Sequence, residues 1–112
     1  MLSKDSRLNL KIDFKRLITG KLIDSKYAKL YIKLGDNNFP KVGIATSSKI
    51  FKKAVKRNRA RRLISAAIEP LYKKFPLNIN ILALPKAGIL SVKSGDILLN
   101  LEEVFKNDKI IS

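Results

Sequence analysis

The segment AVKRNRARRLIS, residues 54–65, has the residue types and spacing best suited to chemistry in this sequence. It holds five lysines and arginines and no acidic residue. A planar guanidinium can donate two hydrogen bonds to one phosphate or stack on a nucleobase, which a lysine ammonium cannot do. Like charges four residues apart, such as Arg57 and Arg61, destabilise an isolated helix, but phosphates lying between them reverse that effect. The segment therefore predicts a surface that binds a polyanion.

The charge around this segment has a single sign. Residues 37–68 contain no aspartate or glutamate, and eight basic residues lie between Lys49 and Arg62. A basic helix face is often only a solvated surface, which is the alternative interpretation. Solubility does not require so many unbalanced charges, and the whole chain carries a formal net charge of +15. Nucleic acid is therefore the expected partner, and an anionic membrane surface is the competing one.

A second candidate surface lies on the strand predicted from KYAKLYIKLG, residues 26–35. Because side chains alternate along a strand, one face is apolar and the other carries Tyr27, Lys29, Tyr31 and Lys33. Tyrosines on a half-exposed strand are common in any fold, and for these two alone that is the better interpretation. Together with two lysines, they favour a platform for single-stranded nucleic acid, with rings that stack on bases and ammonium groups that contact phosphates.

The residue types that are absent narrow the function. The chain has no histidine and no cysteine, which excludes zinc sites built from them, triads with a histidine base and thiolate chemistry. A self-sufficient metal-dependent nuclease needs clustered carboxylates, whereas the nine acidic residues are scattered and avoid the basic region. The lack of cysteine fits a reducing compartment, and no apolar run resembles a membrane span or a signal peptide. We expect a cytoplasmic protein that catalyses no reaction by itself.

The first half of the chain must position the tyrosine and lysine face. Residues 1–10 read as an extended basic arm, and KIDFKRLITG, residues 11–20, predicts a short helix with a glycine suited to its C-terminus. The turn residues of GDNNFP predict a hairpin between the strand at 26–35 and a second strand, KVGIATSS, at residues 41–48.

The second half must position the arginines. From about Lys52 the apolar period is helical, and Pro70 predicts a kink or break near Glu69. The apolar stripe that would dock on the sheet consists of Ala60, Leu63, Ile64, Ala67 and Leu71. The same helical wheel places Asn58, Arg62 and Ser65 opposite the stripe, with Arg59 at one flank and Arg57 and Arg61 at the other.

The remaining residues predict a strand at 78–85, a loop at 86–93 and a helix at 94–107 that begins with a capping serine. Helix, strands, helix, strand and helix in this order indicate an α+β fold, a small α/β sandwich with helices packed on a sheet. A length of 112 residues suits a single domain spanning residues 1–112. The protein alone is expected to be a monomer.

With these motifs in order, the chain resembles the bacterial ribonuclease P protein subunit. AVKRNRARRLIS resembles the arginine-asparagine-arginine signature of that family, and the order and spacing of RLNLKIDFKRLITG, YAKLYIKL, KVGIATSSKI, NINILALPKAG and LLNLEEVFK are similar to the rest of its pattern. The resemblance implies an α/β sandwich with a left-handed βαβ crossover, of the type also found in a ribosomal protein domain, although right-handed crossovers are the rule.

The resemblance also implies a function. The protein would join the catalytic RNA of ribonuclease P, and the holoenzyme would remove the 5′ leader of precursor tRNA endonucleolytically. The RNA would perform the hydrolysis with Mg²⁺ bound mainly through the RNA, so no catalytic residue and no metal site are expected on the protein. The rival interpretation is a ribosomal-type RNA-binding protein that uses the same fold without an enzymatic partner.

Site residues follow from the same resemblance. The expected contacts to the catalytic RNA are the signature and the lysines before it: Lys52, Lys53, Lys56, Arg57, Asn58, Arg59, Arg61 and Arg62. Phe14 and Tyr31 match aromatic residues of the cleft that would hold the leader, and Tyr27, Lys29 and Lys33 join them by strand alternation. Without the resemblance, Phe14 would be assigned to the core.

Three features of the sequence depart from the family pattern. Ser65 stands where an arginine is common, which predicts one phosphate contact fewer. IFKK, residues 50–53, replaces a glycine-containing turn before the helix. An arginine usual near the end of the fourth strand is absent from ALPK, where Lys86 is the candidate substitute.

Overall fold

The computed structural model describes the backbone of residues 10–111 and the side chains of residues 14–111. The predicted N-terminal arm lies outside the described residues, except that Leu10 is already helical. In chain order the elements are α1 (Leu10–Leu17), β1 (Lys21–Asp24), β2 (Ala28–Leu34), β3 (Lys41–Ile44), α2 (Ala54–Ile68), a 3-10 helix (Glu69–Lys74), β4 (Ile79–Pro85), a second 3-10 helix (Ala87–Ser91) and α3 (Ser94–Asn107).

The four strands form one sheet in the order β1-β2-β4-β3. β2 pairs antiparallel with both β1 and β4, whereas β3 pairs parallel with β4. Two adjacent parallel strands need a crossover connection, and α2 with the 3-10 helix after it supplies the crossover from β3 to β4. This arrangement is the α+β fold with a small sheet that the sequence predicted.

The predicted hairpin between β2 and β3 is wrong, because β4 lies between these two strands. Residues of the GDNNFP turn instead attach the connection to the start of β4. The Asn37 amide Nδ2 donates to the carbonyl oxygens of Phe39 at 2.7 Å and Ile79 at 3.1 Å. The Asn37 Oδ1 accepts from the Asn80 Nδ2 at 3.0 Å, and Asn80 is buried. The turn therefore carries the chain past β4 instead of reversing it onto β2.

Strand β1 was not predicted. Its four residues contribute a single buried side chain, that of Ile23, so the segment is too short to show a period of two.

α1 ends at Leu17, three residues before Gly20, which serves a different purpose from a helix cap. A Cβ atom at position 20 would lie 2.6 Å from the carbonyl oxygen of Ile32. Glycine is needed there because the chain between α1 and β1 passes directly against β2.

The sheet is covered on both faces. The larger core joins the Ala28, Leu30 and Ile32 face of β2 to α2, α3 and both 3-10 helices. On the opposite face, Leu17 of α1 packs on Leu82 of β4, with half-buried neighbours Tyr31, Ala45 and Leu84. Among the described side chains of α1, from Phe14 onward, Leu17 is the one buried in this cluster, and a cleft opens beside it.

Helix α2 runs from Ala54 to Ile68 and continues as the 3-10 helix Glu69–Lys74, with Pro70 in its first turn. The break predicted near Glu69 is confirmed. The apolar stripe is buried as expected, but Ser65 is only 2% exposed, so its predicted place on the outer face is wrong. Position 65 lies on the same side of the helix as 57 and 61, whose arginines bond to residues 46–52. This side is turned toward the protein, and a serine there is short enough to be covered.

Helix α3 has the predicted bounds, Ser94–Asn107, but its N-cap is Lys93 and not Ser94. The Asp96 carboxylate accepts a hydrogen bond from the backbone N–H of Lys93 at 3.2 Å, which places a negative charge at the positive end of the helix. The predicted loop at 86–93 contains the second 3-10 helix. None of the helices between residues 10 and 111 combines the length and apolarity that crossing a membrane requires.

Candidate nucleic-acid interface

The N-terminal end of α2 is unusually positive. Its first turn has no acidic residue, and its N-cap residue Lys53 makes no side-chain capping bond. Backbone N–H groups at a helix start are partly unpaired and carry a partial positive charge, which normally favours acids. Here the exposed side chains of Lys52, Lys53 and Lys56 add to that charge. The start of α2 is therefore destabilising by itself and suited to an anionic partner.

Two signature arginines, Arg57 and Arg61, bond to the segment before the helix. Arg57 is half-buried, and its Nη1 donates to the carbonyl oxygens of Phe51 at 2.8 Å and Lys52 at 3.2 Å. Arg61 donates through Nη2 to the Thr46 hydroxyl at 3.0 Å and through Nη1 to the Asn58 Oδ1 at 3.1 Å. Three of these four bonds fasten Thr46, Phe51 and Lys52 to the helix, so this flank of the signature shapes the surface as well as charging it. We call it the bonded flank, consisting of Arg57 and Arg61.

The other two signature arginines, Arg59 and Arg62, are exposed and point away from the protein. Within residues 14–111 neither has a hydrogen-bond or ion-pair partner, and no carboxylate of that range pairs with any of the four signature arginines. We call these two residues the free flank. Each guanidinium retains all its donors, so the free flank can bind phosphates without breaking an internal bond.

A cleft of 410 Å³ opens between α1 and the sheet, where the small second cluster ends. Its walls are mainly apolar, and lysines stand at its rim. The lining residues are Phe14, Lys29, Ala45, Thr46, Ser47, Ile50, Leu84, Pro85 and Lys86. Phe14, at 36% exposure, and Ile50, at 49%, present apolar surface to solvent here. The cleft can take flat apolar rings inside while the lysines meet negative groups at its edge.

The structure brings together only some of the residues predicted for the leader. Phe14 and Lys29 line the cleft, and Tyr31 is half-buried in the cluster next to it. Lys33 lies at the other end of β2, where its Nζ is 3.4 Å from the Thr19 hydroxyl. Tyr27 precedes β2 and packs against the larger core, with the Lys26 Nζ 5.5 Å from its ring centre. Strand alternation therefore does not place Tyr27 with Tyr31.

Most of the cleft lining was missed by sequence reasoning. The apolar and hydroxyl lining comes from the segment after β3 and from the end of β4, and no local pattern marks it: Ala45, Thr46, Ser47, Ile50, Leu84 and Pro85. Residues 41–48 had been predicted as one strand, but β3 ends at Ile44 and the chain then turns away. These residues become a site only because the fold places them opposite α1.

Lys86 lines the cleft but is held by the turn between β1 and β2. Its Nζ lies 2.5 Å from the Asp24 Oδ1 and donates to the carbonyl oxygen of Ser25 at 2.7 Å. The hydrogen bond from Lys86, supported by the charges of Lys86 and Lys29, lowers the pKa of the exposed Asp24 carboxyl below its usual value. The cleft rim thus contains an internal ion pair, unlike the free flank.

Thr46 connects the two surfaces. It lines the cleft and accepts the hydrogen bond from Arg61, so the bonded flank of α2 forms a continuous boundary with the cleft. A single-stranded ligand that left the cleft past Thr46 would reach α2 directly.

Among the side chains of residues 14–111, no three acidic groups lie close enough together to hold a metal ion.

The sequence profile of the ribonuclease P family matches residues 2–109 of this chain. Among curated protein sequences, none matches the chain.

Solved structures with the same fold include three of bacterial ribonuclease P proteins. A mutant Staphylococcus aureus protein matches with a TM-score of 0.82 and 23% identity, over 96% of this chain and 92% of that one. A Thermotoga maritima protein matches with a TM-score of 0.78 and 22% identity, over 90% of this chain and 96% of that one. Another Staphylococcus aureus structure matches with a TM-score of 0.69 and 25% identity, over 100% of this chain and 96% of that one. These matches share the four-stranded sheet with helices described above, and with the profile match they show that the chain belongs to the ribonuclease P protein family, whose members serve tRNA processing as subunits of ribonuclease P.

Proposed function

We propose that this chain binds the catalytic RNA of ribonuclease P through α2 and holds the 5′ leader of precursor tRNA in the cleft beside α1. The observation that carries this proposal is the free flank: two exposed arginines that have no partner among residues 14–111, next to a cleft that Thr46 connects to the same helix. The RNA performs the endonucleolytic step, and Mg²⁺ bound mainly through the RNA assists it.

The arrangement of α2 supports phosphate binding. Arg59 and Arg62 can each donate two hydrogen bonds to a phosphate, and the helix start with Lys52, Lys53 and Lys56 adds positive potential. Because residues 37–68 contain no acid, a phosphate that approaches α2 meets no repulsion from this stretch of the chain. Neutralising phosphates also releases counterions, which supplies most of the affinity in such interfaces.

The form of the cleft supports a single-stranded ligand. Bases of a single strand are free to stack on aromatic side chains, and Phe14 offers an exposed ring at the cleft wall. Lys29 and Lys86 at the rim lie where a backbone phosphate would pass. A duplex would keep its bases stacked inside and could not use apolar walls of this kind.

The role of the protein in the reaction is then electrostatic and positional. Catalytic RNA and precursor tRNA are both polyanions, so a protein between them screens their repulsion. Holding the leader in the cleft also orients the substrate before cleavage, which lowers the entropic cost of the step. Such a protein needs no acid/base residue, in agreement with a chain that lacks histidine and cysteine.

Reconstitution tests this function directly. The protein is mixed with a bacterial ribonuclease P RNA and a precursor tRNA at low Mg²⁺, where the RNA alone is slow, and release of the 5′ leader is measured. We expect the protein to accelerate release and to cleave nothing without the RNA. RNA binding with no acceleration would overturn the proposal in favour of the ribosomal-type alternative, and cleavage by the protein alone would indicate a self-sufficient nuclease.

A further inference from the structure

The one acid that pairs with a cleft lysine in the described residues is Asp24, the last residue of β1. It stands directly opposite Lys29 in the β1–β2 register, and Lys29 in turn stands opposite Leu84 of β4. Asp24 therefore continues, at the sheet edge, the row of residues that forms the cleft floor. Both lysines of the cleft rim are its neighbours, Lys29 across the strand pair and Lys86 through the 2.5 Å ion pair.

Lys86 does not depend on Asp24 for its position. Its backbone N–H donates to the carbonyl oxygen of Tyr27 at 2.8 Å, and its Nζ donates to the carbonyl oxygen of Ser25 at 2.7 Å. An ammonium has three N–H donors, of which Asp24 and the Ser25 carbonyl occupy two. Removing the Asp24 charge would leave Lys86 at the rim with a further donor available to the cleft.

We propose that Asp24 competes with a leader phosphate for Lys86 and Lys29, and so sets how tightly the cleft holds its ligand. This inference rests on the proposed function of the cleft. The carboxylate is exposed and its pKa is lowered by its lysine neighbours, so it is ionised at neutral pH. A phosphate at the rim must displace it from Lys86 or bear its repulsion. Asp24 thus weakens the contact between the cleft and the leader and keeps that contact reversible.

The effect must be modest, because the ion pair is exposed to solvent on both sides, with side-chain exposures of 34% for Lys86 and 63% for Asp24. Exposed ion pairs contribute little in water, so we expect Asp24→Asn to tighten leader-dependent binding by about 2- to 5-fold. Lys86→Ala should weaken the same binding. If Asp24 acts through Lys86, the double variant Asp24→Asn/Lys86→Ala should bind the leader substrate as Lys86→Ala does.

The test uses the reconstituted holoenzyme and two substrates, precursor tRNA and the same tRNA without its leader. The dissociation constant of the leaderless tRNA divided by that of the precursor tRNA is measured at one fixed salt concentration for wild type, Asp24→Asn, Lys86→Ala and the double variant. Glu103→Gln is the matched control, because it removes the same charge from an exposed residue of α3 with no partner in the described residues. Tighter binding of the leader substrate alone, and only in Asp24→Asn, is the expected result.

The possible outcomes separate the two proposals. If the wild-type ratio is one, the cleft does not hold a leader, and the proposed function fails together with this inference. If the wild-type ratio exceeds one but Asp24→Asn leaves it unchanged or lowers it, only the competition by Asp24 is overturned. A Glu103→Gln effect equal to that of Asp24→Asn would show a general charge effect, which also overturns the inference.

Discussion

The free flank of α2 and the cleft beside α1 belong to one surface but are built in different ways. The free flank comes from a single helix, and its arginines have no internal partner in the described residues. The cleft combines α1, β2, β4 and the segment after β3, and the charge of its lysine Lys86 is paired with Asp24. Under the proposed function, the unpaired charge would supply affinity that does not depend on sequence, and the partly neutralised apolar cleft would supply selectivity for a single strand.

The strongest test of this comparison is the dependence of binding affinity on salt concentration. If α2 and its lysines contact about 6 to 10 phosphates, affinity for the catalytic RNA should fall roughly 10³- to 10⁵-fold between about 50 and 200 mM salt. The preference for a substrate with a leader should change far less, because the apolar cleft contributes stacking as well as charge. Titrations at four salt concentrations, with and without the leader, measure both slopes. A flat response of RNA affinity would contradict a phosphate-dominated interface.

The next largest effect is expected from the free flank. Removing both arginines in Arg59→Ala/Arg62→Ala should weaken binding of the catalytic RNA by about 100-fold, since a charged hydrogen bond contributes roughly 1.5 kcal/mol or more. The salt slope should also fall by about one per lost phosphate contact.

A matched double variant, Lys73→Ala/Lys106→Ala, removes two positive charges from exposed residues outside α2. It should retain nearly all RNA affinity. If both double variants lose affinity equally, net charge and not the free flank determines binding, and the distinction between the two regions disappears.

Within the cleft, Phe14 is the residue whose loss should matter most. Phe14→Ala should weaken leader-dependent binding by about tenfold, which is within the range measured when an aromatic ring that stacks on a base is removed. Binding of tRNA without its leader should stay unchanged. Phe14→Tyr is the control, since it keeps a ring at the wall. A loss that is equal for both substrates would place Phe14 in the structure of α1 and not in the site.

Elements with long periodic patterns could be predicted from the sequence. The bounds of α3 are as expected, α2 begins two residues after Lys52, and β4 begins one residue late. Pairing between strands could not be predicted, because GDNNFP marks a turn without specifying which strand lies beyond it. The observed path involves contacts between distant residues, such as the hydrogen bond between Asn37 and Asn80, which are 43 residues apart in the chain. The short β1 has too few buried side chains to produce a pattern.

The same division applies to the site. The signature of α2 is local, so the sequence alone is enough to predict its residues as an interface. The cleft is not local, and its lining includes residues whose types are ordinary, such as Ile50 and Leu84. The sequence assigns all four arginines to one partner, the catalytic RNA, although the helical wheel places Arg57 and Arg61 on a different flank from Arg59. The fold adds that Arg57 and Arg61 bond to residues 46–52 and Asn58, whereas Arg59 and Arg62 bond to nothing in the described residues.

That distinction predicts the smallest effect, on stability. Arg57→Ala should lower the free energy of unfolding by about 1 to 2 kcal/mol, because the carbonyl oxygens of Phe51 and Lys52 lose a charged donor at a half-buried position. Arg59→Ala should change it by less than about 0.5 kcal/mol, as is usual for an exposed residue without partners. Chemical denaturation of the free protein measures both, and Arg57→Lys, which keeps the charge but loses the planar fork, should lie between them. Equal stabilities for Arg57→Ala and Arg59→Ala would mean that the bonds of Arg57 contribute nothing to the fold. The two flanks of α2 would then be a single binding surface, as the uniform signature alone suggests.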